Sequence, residues 1–385
     1  MKILVIGAGM YVTGRGTAGI GTILPALAQY SRDNLVECVT VAATRPESAS
    51  GVIESCRRIN DLLGSHLRAE YRQIQSAADL TIRPSEFDCA IVCVPDHLHF
   101  EATAEMLRAG AHCLVVKPLT PTLAEATKLL ALQEEKGLLG VVEFHKRFDE
   151  QNLLVRKMIR DGAIGTPRYM VVAYSQRIGI PLDVFRAWSH RTNIFQYLGV
   201  HYVDLIYFLT GFRPVRASAV GSRGVLEANG VDTFDSVHAT IVWEDAAKQG
   251  EFVSQLAIGW IDPNSTSALS DQRYFLVGSS GRVDLDQTDR GIHLVSGPSG
   301  METPNPHFSM ILGEGEGVAF QGYGYRSIER FLKDVARVKA GQISPSSLEG
   351  VRPSFRQSLV STSVVEAVNE SLGAGGAWRK INAPA

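Results

Sequence analysis

Residues 1–27, MKILVIGAGMYVTGRGTAGIGTILPAL, decide the fold of the first part of the chain. ILVIG is a continuous apolar run that reads as a buried strand, and TILPALAQY reads as the helix that follows it. Between them, Gly7-Ala8-Gly9 opens a G-x-G-x-x-G turn, but Val12 stands where its third glycine belongs. A second match, Gly14-Arg15-Gly16-Thr17-Ala18-Gly19, lies directly before the helix. Glycines between a first strand and a first helix let the backbone approach a pyrophosphate, while the helix N-terminus offers unpaired N–H groups. We read the two sets as dividing this work. Gly7 and Gly9 form the exit from the strand, and Gly19 and Gly21 allow close helix packing. The intervening MYVTGRGTA is then an insertion that loops over a cofactor or towards a substrate, or else a surface loop touching neither.

The same alternation continues to about residue 150. VECVTVAA, CAIVCV, HCLVV and LGVVEF read as strands, and SASGVIESCRRINDLLG, HFEATAEMLRAG and TLAEATKLLALQEEKG as helices. Thr122 suits an N-cap, with Gly110 and Gly137 as stops. Apolar runs alternating with helices predict a parallel sheet covered on both faces. Beyond residue 150, RYMVVAYSQ, ASAVGSRG, DSVHATIVWE, EFVSQLAIGWI, RYFLVGSSG and GRVDLDQ predict a mainly antiparallel sheet, with helices near 198–210 and 326–340. The fold class is therefore α/β: a doubly wound Rossmann domain over 1–150 and an α/β domain with a large, open, mainly antiparallel sheet over 151–385. A length of 385 residues fits two cores better than one.

Bulk properties narrow the function. The chain is 45% hydrophobic and 20% charged with a net charge of −2, so no basic surface argues for nucleic acid. No apolar run has the length of a membrane span, and glycines at 7 and 9 interrupt the run after Lys2 before it could serve as a signal h-region. The 5 cysteines, without metal-type spacing, read as reduced thiols of a cytoplasmic protein. At the end of the second strand, Thr44-Arg45 replaces the acid that would hold the ribose of NAD. A hydroxyl and a guanidinium suit a 2′-phosphate, so the cofactor reading is NAD(P), leaning to NADP. A solvated Arg45, or one stacked on the adenine of NAD, are the other readings.

CVPDHLHFEATAEMLRAGAHCLVVKPLT resembles the glucose–fructose oxidoreductase and inositol dehydrogenase family (Gfo/Idh/MocA). Its Pro-Asn-x-x-His turn corresponds to Pro95-Asp96-His97-Leu98-His99, its Ala-Gly-x-His strand entry to Ala109–His112, and its Glu-Lys-Pro motif to Val116-Lys117-Pro118. The resemblance implies a sugar, nucleotide-sugar or cyclitol substrate, a homo-oligomer (dimer or tetramer), and cofactor contacts at Pro95, His99 and Lys117. It also implies that Lys117 touches both the substrate hydroxyl and the nicotinamide region. A lysine held after an apolar strand is partly desolvated, which lowers its pKa and suits it to relay a proton. The family's glutamate is missing, because Val116 occupies its place.

NIFQYLGVHYVDLIYFLTG resembles the family's Asp-x-Gly-x-His-x-x-Asp helix. Gly199, His201 and Asp204 match, and Tyr197 replaces the first aspartate. Helical spacing puts Tyr197 and His201 on one face with Asp204 a turn on. We take His201 as the acid/base, Lys117 as polarising the same oxygen, and Tyr197 as an auxiliary hydrogen-bonding group. Asp204 is a substrate contact or merely orients His201. Arg177, Arg186, His190 and Arg191 suit an anionic substrate group or are solvated. His145, in His145-Lys146-Arg147, is a further substrate candidate, and Tyr323 and Tyr325 line a pocket or pack. His97 and His99 on one turn are too few for a zinc site.

The reaction expected is oxidation of a ring secondary alcohol, or its reverse. A glycosidase-type enzyme that retains NAD and oxidises C3 transiently is an alternative, as is a cofactor-binding regulator without chemistry.

Overall fold

Strands β1 (Lys2–Ile6), β2 (Cys38–Ala43), β3 (Ala69–Gln73), β4 (Cys89–Val92), β5 (His112–Val116) and β6 (Gly140–Glu143) make a six-stranded sheet in the order β3-β2-β1-β4-β5-β6. Every pairing in it is parallel. This is a computed structural model that describes residues 1–76, 80–245, 250–297 and 300–382. The chain divides into two units, each discontinuous in sequence. The first comprises Met1–Thr120, Ala124–Phe148 and His307–Ser358, the second Pro121–Leu123, Asp149–Pro306 and Leu359–Ala385.

In the first unit the strand order reverses at β1, so the chain turns away from β1 and from β4 on either side of one crevice. Such a switch point, at the carboxyl ends of the strands, is where open α/β sheets bind ligands. A short α1 (Met10–Thr13) forms within the insertion, and α2 (Ile23–Asp33), α3 (Ser48–Leu63), α4 (His99–Arg108) and α5 (Leu123–Glu135) follow their strands as the sequence pattern predicts. Ile3–Ile6 are fully buried, and Ile3 and Val5 share a core with Leu24 and Leu27 of α2. The later helix Tyr323–Lys339 returns to the same core through Ile328, Phe331, Leu332 and Val335. Each such buried side chain contributes roughly 1.5–3 kcal/mol, so this distant segment is integral to the unit. Strand β3, AEYRQ, has no apolar run to announce it, because it is an edge strand that stays half wet.

The glycine turn differs in part from its sequence reading. Gly7 does form the exit from β1: its φ is +112°, and a Cβ there would lie 2.1 Å from the Cys93 carbonyl oxygen after β4. Gly21, however, packs against the one-turn helix α1 and not against the helix that follows it, since its Cβ would lie 2.7 Å from the Val12 oxygen. Gly19 meets only Thr17 Oγ1 at 3.4 Å. Val12 is fully buried in the core, so the position of the missing third glycine has become a packing residue on a one-turn helix.

In the second unit, β7 (Pro167–Arg177), β8 (Arg213–Ser222), β9 (Ser236–Glu244), β10 (Glu251–Asp262), β11 (Ser270–Gly278), β12 (Arg282–Asp286) and β13 (Arg379–Lys380) form a seven-stranded sheet in the order β12-β11-β7-β10-β9-β8-β13. Only β7 and β10 run parallel. Burial alternates along β10, which places Phe252, Leu256, Ile258 and Trp260 inside. The helices Glu150–Arg160 and Val200–Thr210 pack in this unit, with the Arg156 guanidinium 4.0 Å from the Phe208 ring centroid. Among the described residues no helix is long and apolar enough to cross a membrane.

The crowding at Gly7 generates a stability prediction. Gly7→Ala forces both a positive φ and a clash with fixed backbone, and should cost about 3 kcal/mol in urea denaturation. A loss under about 0.5 kcal/mol would show that the β1 exit can relax away from Cys93.

Candidate active site

Lys117 follows β5 directly, and its peptide bond to Pro118 is cis. The strand HCLVV is buried from His112 to Val115 and half-buried at Val116, so the lysine leaves the sheet from an apolar base and is itself only 8% exposed. One histidine braces this edge, and a second ties β5 to β6 at the opposite, amino end of the strand. His99, at the start of α4, has Nδ1 2.7 Å from the Pro118 oxygen and Nε2 2.9 Å from the Val94 oxygen. His112 Nδ1 accepts from the Leu139 N–H at 2.9 Å, which joins β5 to the start of β6. Burial, and after it the charge of Lys339, pushes the His112 ring down to about 4, so it remains a neutral acceptor.

Burial also pushes the Lys117 ammonium down to about 7, against Asp96, Glu143 and Cys93, which hold it up. Asp96 is buried in the turn after β4, and its Oδ1 accepts from the His97 N–H at 2.8 Å. The Cys93 thiol is itself pushed up to about 12, first by burial and then by Glu143. A side chain poised near neutrality can both take and return a proton, which is the property general acid–base catalysis requires.

The glycine turn fits a nucleotide phosphate. A Cβ at Gly9 would meet nothing within 4 Å, so this backbone can be approached from the crevice side. Thr44 and Arg45 are exposed just beyond β2. The insertion brings a second guanidinium to the same place: Arg15 Nη1 donates to Ser48 Oγ, on the first turn of α3, at 3.4 Å. Partial burial, and then the charge of Arg45, lowers the Arg15 pKa. Two cations that close to one another suit an anion between them.

Several candidates are placed otherwise than the sequence reading has them. Both ring nitrogens of His99 face backbone carbonyls, so it braces the lysine turn and is not left to touch a cofactor. Pro95 opens the short turn Asp96–Leu98. Tyr325 packs edge-on against Phe320 at 6.0 Å and on the first unit's core. It is Tyr323 that stacks on His145, at 5.6 Å and 28°. His145 stands at the carboxyl end of β6, its Nδ1 donating to Glu143 Oε2 at 3.0 Å.

In the second unit, His201 and Asp204 are buried on the helix Val200–Thr210, 3% and 2% exposed. The preceding Phe195–Gly199 is a π-helical turn, so Tyr197 and His201 do not lie on one regular helix. Gly199 is needed there because a Cβ would lie 2.7 Å from the Phe195 ring. Tyr197 belongs to an aromatic cluster, stacked on Trp260 at 5.5 Å and edge-on to Phe185 at 5.2 Å. Arg177 is used within the fold: its Nε donates to Thr266 Oγ1 at 3.1 Å. Arg186, His190 and Arg191 are exposed, and Arg186 Nη2 reaches the Asn229 oxygen at 3.4 Å. Sequence reasoning passed over Glu143, Tyr11, Arg15 and Ser327. Glu143 had a signal: a carboxylate ending the apolar strand of VVEF is seldom idle.

Known proteins bear on this arrangement. Residues 1–144 match the oxidoreductase family with an NAD-binding Rossmann fold (GFO_IDH_MocA), and residues 152–284 match the GFO/IDH/MocA C-terminal domain. Inositol 2-dehydrogenase of Rhizobium meliloti (strain 1021) is 25% identical over 281 residues, 72% of this chain and 76% of its own length. The scyllo-inositol 2-dehydrogenase (NADP(+)) of Bacillus subtilis (strain 168) is 27% identical over 172 residues, 44% of this chain and 46% of its own. The crystal structure of scyllo-inositol dehydrogenase from Lactobacillus casei with bound NAD(H) and scyllo-inositol superposes with a TM-score of 0.64 at 14% identity. The match covers 99% of this chain and 98% of that one, and it shows the shared fold.

The lowered Lys117 pKa makes stability depend on pH. Between about 7 and the ordinary lysine value of 10.5 the unfolded chain holds a proton that the folded protein lacks. Lys117 therefore adds a rise in stability with pH across that window. Lys117→Met removes the rise, so the stability of the variant relative to wild type should be greatest at about pH 6 and shrink by about pH 9.5 in urea denaturation. A difference that stays constant would place the lysine in water.

Proposed function

Because this chain belongs to the Gfo/Idh/MocA family of NAD(P)-dependent oxidoreductases, we propose that it oxidises a ring secondary alcohol of a cyclitol, sugar or nucleotide sugar to a ketone, or reduces that ketone. The observation that carries this reading is the buried Lys117 poised near pH 7 at the carboxyl edge of the parallel sheet. The inositol substrates named for the relatives support a cyclitol first.

The nicotinamide, when bound, accepts or returns the hydride. The first unit, which takes in His307–Ser358 besides most of residues 1–148, holds the cofactor, and the second binds the substrate and makes the oligomer contacts. Lys117 accepts the hydroxyl proton as the amine and returns it as the ammonium. His201 is the second acid/base group, Tyr197 hydrogen-bonds the substrate, and Asp204 fixes the His201 ring. His145 is a substrate contact on the first unit. Apolar side chains on the outer face of the seven-stranded sheet, such as Tyr169 at 44% exposed and Ile261 at 36%, suit a homo-oligomer contact.

NADP is the preferred cofactor in this reading. Arg15 and Arg45 flank the 2′-phosphate, with Thr44 and Ser48 as hydroxyl donors. Gly7 and Gly9 leave room for the pyrophosphate, and the loop closed by Gly19 and Gly21 carries Arg15 to its place.

The test measures NADPH and NADH binding by nicotinamide fluorescence, then cofactor reduction across a panel of cyclitols and sugars. NADPH should bind more tightly. Arg15→Ala and Arg45→Ala should each weaken NADPH by roughly tenfold and leave NADH within about twofold. Equal affinities in the wild type would overturn the NADP assignment, and binding of neither form would overturn the dehydrogenase reading.

A further inference from the structure

The Glu-Lys-Pro motif places a carboxylate beside the lysine, and in this chain that position is Val116. Val116 ends β5, and the residue paired with it in register on β6 is Glu143. Glu143 is 2% exposed. A carboxylate buried to this degree needs donors and a counter-charge, and the surroundings supply them. Ser327 Oγ, on the helix Tyr323–Lys339, lies 2.5 Å from Oε1, and His145 Nδ1 donates to Oε2 at 3.0 Å. His145 is itself held between Phe308 and Tyr323, with ring centroids at 5.1 and 5.6 Å.

The insertion after Gly9 reaches the same group. Tyr11, on α1, has its hydroxyl oxygen fully buried. Burial, and then the charge of Glu143, raises its pKa well above the ordinary value. The phenol oxygen makes no hydrogen bond of good geometry, and Glu143, whose two oxygens take bonds from Ser327 and His145, is the nearby charge that acts on it.

We propose that Glu143 is the positioning carboxylate of Lys117, supplying from the neighbouring strand the charge that the motif normally carries at position 116. Tyr11 and His145 share that carboxylate, so the insertion and the end of β6 are both wired to the lysine. The groups facing Lys117 are then Asp96 from the turn after β4, Cys93 at the end of β4, and Glu143 from β6. Those facing Glu143, besides Lys117, are Cys93, Tyr11, His145 and Ser327. Glu143 acts through Lys117 and touches no substrate. This assignment deepens the dehydrogenase reading above, and its test does not need turnover.

The test follows the Lys117 Nζ and Cε resonances by NMR in the full chain without cofactor, assigned by their loss in Lys117→Met. In wild type the ammonium should titrate near pH 7. Glu143 holds the lysine's proton on, so Glu143→Gln should move the midpoint to lower pH, and the double variant Val116→Glu/Glu143→Gln should move it back up. An unmoved midpoint in folded Glu143→Gln overturns the proposal. The Glu143 carboxyl carbon gives a reading that needs no substitution at 143. It should show an inflection at the Lys117 midpoint that vanishes in Lys117→Met. An inflection that survives unchanged does not arise from Lys117 and also overturns the proposal. Should the lysine midpoint move as stated in protein that oxidises no polyol, Glu143 keeps its role and the dehydrogenase reading falls.

Discussion

Removing the Lys117 ammonium from water is the constraint around which the first unit is arranged. An amine at the end of a largely buried strand is costly to charge, and the nearby Asp96, Glu143 and Cys93 favour its protonated form. The burial that costs stability is what brings its titration near neutrality, where a proton can be both given and taken. Holding such a group demands a rigid edge. His99 lies between the Val94 and Pro118 carbonyls, and Gly7 lets β1 close against Cys93 without a side chain between. His99, one of the pair weighed as a metal site, is thus a strut of the lysine turn.

The insertion of residues 10–18 acquires a purpose in the same frame. Its one-turn helix buries Val12 in the core and puts the Tyr11 hydroxyl beside Glu143. A few residues later Arg15 reaches Ser48 and the charge of Arg45 beyond β2. One short segment therefore meets both the buried Glu143 carboxylate and the side chains suited to a phosphate.

Much of the first unit was legible because continuous apolar runs such as ILVIG and HCLVV can hardly be anything but strands buried on both faces. The turn at Gly7 and the poise of Lys117 were legible for the same reason: each sits where such a run ends. AEYRQ escaped because an edge strand need not be apolar. Tyr197 escaped in a different way, since a π-helical turn leaves no periodic trace and its distant partner Trp260 is 63 residues along the chain. Arg177 looked like an anion site, yet its partner Thr266 lies on a loop that no local pattern points to. Glu143 was visible as a residue but not as a replacement, because cross-strand register is a property of the sheet and not of the segment.

The central claim is that Lys117 manages the proton of an alcohol oxidation, and isotope transfer under varied pH tests it most directly. Inositols deuterated at the ring carbons would be offered with oxidised cofactor to wild type and to Lys117→Met. The account predicts deuterium in the reduced cofactor, a rate of oxidation that rises with pH through about 7 as the amine forms, and a loss of at least roughly a hundredfold in the variant. Deuterium transfer that proceeds at the same rate and with the same pH profile without Lys117 would contradict it.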